Sequence, residues 1–80
     1  MNISERDRQL HSFLQETTVT LRTITGKYGE DQMAVKLIED LQEESIEWFN
    51  KFGRSSKKQI AEYFSRQRDR VQEVIQDYKL

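Results

Sequence analysis

Apolar residues recur along this chain of 80 residues in three long stretches, each at the spacing of one helix face. The first covers about residues 4–25. Ile3, Leu10, Phe13, Leu14, Leu21 and Ile24 fall on one stripe, with Thr17 in its middle and Val19 alone on the far side. At about 100° per residue this stripe is roughly 100° wide, the signature of a helix that touches its neighbours along one seam. The second stretch, about 31–52, carries Met33, Ala34, Val35, Leu37, Ile38, Leu41, Ile46, Trp48, Phe49 and Phe52. These spread over an arc of about 220°, which marks a central helix. The third, about 56–79, places Ile60, Ala61, Tyr63, Phe64, Val71, Val74, Ile75 and Tyr78 on an arc of about 160°, interrupted by Gln67.

Boundary signals agree with this division. There is no proline; Gly26 and Gly29 bracket a tetrapeptide after the first stretch, and Gly53 follows the second as a natural residue beyond a helix end. Ser4 with Asp7, Asp31, and Ser56 with Gln59 supply capping residues at the three starts. The β-branched run from Thr17 to Thr25 also has strand character. Its helical phase is nevertheless unbroken, and a lone strand would have no partner, so a helix fraying toward Gly26 is predicted. Leu10, Leu14, Thr17, Leu21, Ile24 and Ile60, Phe64, Gln67, Val71, Val74, Tyr78 are heptad-like seams. Each has one polar residue near its middle, and Thr17 and Gln67 are read as register-setting contacts. The expected fold is a single all-α domain over residues 1–80, an antiparallel three-helix bundle. The alternative is a long helical hairpin of the second and third helices, dimerising, with the first helix loosely docked or exchanged.

Chemistry narrows the function by exclusion. With no cysteine there is no disulfide, thiolate metal site or cysteine nucleophile, and a single histidine, His11, rules out a multi-histidine site within one chain. His11 falls at the border of the first stripe, without a neighbouring carboxylate or nucleophile in sequence. Ser55 and Ser56 read as caps, and neither a Gly-x-Ser-x-Gly elbow nor a phosphate-cradling glycine loop occurs. No apolar run approaches the roughly 20 residues of a membrane span, and Met1 to Arg6 contains no signal-peptide core. A cytoplasmic protein is the expectation.

Acidic residues form the most site-like pattern. Glu39, Glu43 and Glu47 follow i, i+4 spacing, and Glu44 with Glu47 gives Glu-x-x-Glu. The stretch from Leu37 to Glu44 superficially resembles the all-α nucleoside triphosphate pyrophosphohydrolases. That resemblance would imply magnesium held by carboxylates of two helices, the second offering Glu-x-x-Asp. Here Glu73 and Asp77 are one residue too far apart, which turns one carboxylate from the other. A metal-dependent nucleotide hydrolase is therefore the weakest functional reading. The acidic residues are read as a solvated face, with no catalytic, cofactor or metal residue assigned.

Charge is also segregated along the chain. Residues 28–50 hold seven acids and one lysine, whereas residues 54–70 hold six basic residues and two acids. In a hairpin about Gly53 these halves lie side by side. A polyanion site using Lys57, Lys58, Arg66 and Arg70, with Arg54 and Arg68, is the rival reading. Interleaved Glu62, Asp69, Glu73 and Asp77 and an overall charge of −1 argue against nucleic acid.

The remaining signal is apolar surface in excess of what one small bundle covers. Val35, Ile46 and Phe49, with Trp48, are the expected partner or self interface, although Trp48 and Phe52 also suit the closing of one end of the core. The expected function is a non-enzymatic interaction or regulatory module. It would present this surface, with Glu39, Glu43 and Glu47 as an acidic contact face, to another protein or a second copy.

Overall fold

A computed structural model describes residues 4–30 and 32–79. It contains three helices, α1 (Glu5–Tyr28), α2 (Met33–Phe52) and α3 (Lys57–Asp77), and no strand among the described residues. Every pair of helices is in contact, as the bundle requires. Cross-helix contacts set the directions: Arg70 reaches Glu44 and Gln67 reaches Ser45, whereas Arg68 reaches Glu16 and Arg6 reaches Ser55. α2 is thus antiparallel to both neighbours, and α1 runs parallel to α3.

The caps explain where the helices begin and end. Ser4 accepts from Asp7 N at 3.1 Å, and Ser56 forms a reciprocal capping box with Gln59. The expected N-cap Asp31 and the stripe residue Ile3 lie outside the described residues. α2 starts at Met33, with Gln32 in the cap position but no side-chain cap bond. The Gln32 amide instead donates to Tyr28 O at 3.0 Å, occupying a carbonyl that the end of α1 leaves open.

α1 runs three residues beyond its predicted end. Gly26 lies inside the helix, not in a turn, and Gly29 ends it with φ 91°. The threonine run stays helical throughout. Thr20, Thr23 and Thr25 each return a hydroxyl proton to a carbonyl of the preceding turn, so their polarity is satisfied within the helix. Gly53 serves a different purpose. Its backbone is right-handed, with φ −63°, but a Cβ there would lie 2.5 Å from Phe49 O. Close approach, rather than handedness, favours glycine at this position.

Phe13, Ile38, Ile60 and Phe64 form the centre of the core, with Ile24, Val35, Leu41 and Val71 around them. The Phe13 and Phe64 rings meet at 5.5 Å, which locks α1 onto α3. α1 is therefore an integral member of the bundle, in place of the loosely docked helix of the alternative fold. Among the described residues, no helix is long and apolar enough to cross a membrane.

Candidate interaction surface

Two polar clasps fix how α2 sits between its neighbours. Toward α1, the Gln42 amide donates to Thr17 Oγ1 at 2.6 Å, and Thr17 donates in turn to Phe13 O at 2.8 Å. Toward α3, the Gln67 amide donates to buried Ser45 Oγ at 3.0 Å. Gln67 Oε1 then accepts from Arg70, which also pairs with Glu44 at 2.9 Å. Thr17 and Gln67, the polar interruptions of the two seams, each bridge to α2 from buried positions.

With α2 oriented in this way, its outward side carries Glu39, Glu43 and Glu47, all exposed. By helical phase this acidic strip runs between two apolar borders. The border nearer α1 contains Ile46, 40% exposed. Val35 shares that border in sequence phase but is only 7% exposed and belongs to the core. It is thereby corrected from contact residue to core residue, because α1 covers it in the groove that also contains Leu21. Phe49 is partly buried against the core.

The border nearer α3 is wetter. Leu37 is 36% exposed and Phe52 50%, so Phe52 does not close the core as expected. Trp48 is partly buried. Its ring stacks on Tyr63 at 3.8 Å and 6° and lies 5.7 Å from Phe52. The reason for the exposure lies across the groove. On the facing edge of α3 the grooves are lined by Gln59, Glu62, Arg66, Arg70, Glu73 and Asp77, with Val74 the one apolar side chain among them, so apolar cover is small. Sequence phase already put Leu37, Leu41, Trp48 and Phe52 along one edge of the wide α2 arc. Sequence alone favours the Val35 and Ile46 edge instead, because the position of α1 is not visible within α2.

Lys57, Lys58, Arg66 and Arg70 do not form one site. Arg70 is engaged by Glu44 and Gln67, and Arg68 pairs with Glu16 at 2.8 Å. Lys57 and Lys58 line a separate groove with Glu5 and Arg6, while Arg66 flanks Trp48 and Phe52. The expected charge pairing across the α2–α3 hairpin is represented by Arg70–Glu44; such exposed pairs contribute about 0 to 1 kcal/mol. His11 is exposed.

Asp40, Glu44, Glu73 and Asp77 do line one groove between α2 and α3, beside Arg70. Among the described residues, no group of three or more such side chains is arranged to hold a metal ion. The Tyr63 hydroxyl is buried without a hydrogen-bond partner, and burial raises its pKa above the ordinary 10.0. The nearby Ser45 hydroxyl acts in the opposite direction and is outweighed by burial. No family model, curated protein or solved structure matches this chain.

Proposed function

We propose that this protein is a non-enzymatic protein–protein interaction module whose contact surface is the outward side of α2. The observation that carries the reading is the distribution of exposed large apolar side chains. Four of the seven among the described residues, Met33, Leu37, Ile46 and Phe52, belong to α2. A helix already packed against two partners needs no further apolar surface for folding. Aromatic and aliphatic anchors dominate the energetics of protein contacts, and flanking charge orients the partner. Trp48 and Phe52 would act as anchors, with Leu37 and Ile46 extending the apolar area. Glu39, Glu43 and Glu47 would select against acidic partners.

The test compares the full chain with Phe52→Glu, Ile46→Glu and a control, Val19→Glu, on the opposite side of α1. Self-association is followed by solution mass, and capture of other proteins by affinity isolation from the source lysate. Association lost with Phe52→Glu or Ile46→Glu but kept with Val19→Glu, while far-UV circular dichroism stays helical, supports the module. Absence of any association, or association indifferent to both α2 substitutions, overturns it.

A further inference from the structure

Building on the interaction-module reading, we infer that the α2–α3 groove is occupied by a second copy of this chain, laid antiparallel across it about a twofold axis. The charge on the groove walls has a direction. Far from the α2–α3 turn, Asp40, Glu44, Glu73 and Asp77 face Arg70 alone. Near the turn the groove holds one acid, Glu62, a helical turn before Arg66 on α3, and exposed Glu47 precedes Lys51 by one turn on α2. Lys51, three residues after Trp48 on the same side of α2, and Arg54 in the turn are both exposed there. Two copies related by a twofold axis perpendicular to the helices place Asp40 and Glu73 of each over the half of the other that carries Lys51, Arg54 and Arg66, while Glu44 stays near the axis, paired with Arg70 of its own chain. A parallel pairing sets acid against acid. Because the interface is isologous, each favourable juxtaposition occurs twice.

The apolar positions obey the same symmetry. Leu37 and Phe52 stand 15 residues apart along α2, about 22 Å at 1.5 Å per residue, with Leu41 and Trp48 between them. An axis midway between the two sets Leu37 of each copy level with Phe52 of the other and brings the Trp48 regions near the centre. Size is compatible too. The two longer dimensions of the bundle, 37 and 26 Å, bound a face that can supply the roughly 800 Å² per partner of a standard interface.

Arg66 and Glu73 provide the decisive test. They lie on one face of α3 two turns apart, about 10 Å, too far to pair within a chain. In the antiparallel dimer, Glu73 of one copy comes to the basic end containing Arg66 of the other. Sedimentation equilibrium of the full chain, up to millimolar concentration, should give twice the 9.6 kDa chain mass. Phe52→Glu should weaken dimerisation about a hundredfold, and Arg66→Glu or Glu73→Lys alone about tenfold. The combined charge swap should restore dimerisation toward the wild-type level, with circular dichroism helical throughout. A monomer at every concentration overturns the homodimer. In that case, Phe52-dependent capture of a foreign protein would leave the module reading standing, whereas no capture at all would remove both. A dimer insensitive to Phe52→Glu and to the charge variants overturns this placement.

Discussion

Gln42 and Ser45, three residues apart on α2, bond to opposite neighbours: Gln42 to Thr17 of α1 at 2.6 Å and Ser45 to Gln67 of α3 at 3.0 Å. One turn of α2 therefore holds both flanking helices at fixed heights. Apolar seams slide more readily than polar ones, because a shifted polar contact leaves a buried donor or acceptor without its partner. In a bundle whose stability rests on one small core, these bonds contribute more to register than to net free energy.

Ser45→Ala removes the acceptor of the Gln67 amide while leaving that amide buried. Loss of about 1–3 kcal/mol is expected, the cost of an unsatisfied buried polar group. Replacing both partners, Ser45→Ala with Gln67→Leu, should recover a substantial part of that loss by removing the orphaned donor. Urea unfolding of the two single variants and the double variant closes the cycle. Strict additivity of the losses would show that the bond carries no coupling.

The three glycines should respond differently to alanine. At Gly26 the helix is regular and a Cβ meets nothing within 4 Å, so Gly26→Ala should stabilise by about 0.5–1 kcal/mol. Gly29 has φ 91°, a conformation alanine adopts only with strain, and Gly53→Ala forces a Cβ against Phe49 O. Both should destabilise. Thermal melts in which Gly26→Ala rises and the other two fall would establish that Gly26 is helix interior.

How legible the fold was depended on whether a signal was local or required a neighbour. Helical phase, the Ser4 and Ser56 caps, and the buried seam residues Thr17 and Gln67 are properties of one segment with its own period. Gly26 misled because a glycine inside a helix and a glycine in a turn look alike in sequence, and only the tertiary arrangement carries α1 on to Tyr28. The candidate surface required more. Val35 and Leu37 mark opposite borders of one broad apolar arc, and nothing within α2 says which border a neighbour covers. Leu21 and the rest of α1 cover Val35, while the charged edge of α3 leaves Leu37 and Phe52 wet. The Gln42 and Ser45 partners were hidden for the same reason, since each is polar, single and without a periodic signal.

Phe13→Ala should be among the most damaging single substitutions. The ring is fully buried and meets Phe64 at 5.5 Å, so its removal leaves a cavity where α1 joins α3. The expected loss is about 3–5 kcal/mol, a large share of the roughly 5–15 kcal/mol that a small domain possesses. Circular dichroism melts should show a strongly lowered midpoint. An unchanged midpoint would mean that α1 is not held by this contact.

Tyr63→Phe should be neutral or stabilising, by up to about 1 kcal/mol, despite the closeness of its ring to Trp48. The stacked ring at 3.8 Å is retained, while a buried hydroxyl without a partner is removed. The pH dependence follows from the direction of the pKa shift. Burial favours the neutral phenol, so the folded pKa lies above the unfolded value near 10.0. Below that pH both states keep the proton, and this group adds no pH dependence. As pH rises past 10, the unfolded chain loses the Tyr63 proton before the folded one does, and stability falls through the folded pKa. Wild-type protein should therefore show an alkaline loss of stability that Tyr63→Phe reduces, measured by urea unfolding between about pH 9 and 11. Identical slopes for the two proteins would show that the Tyr63 hydroxyl is solvated in the folded state, contrary to its burial.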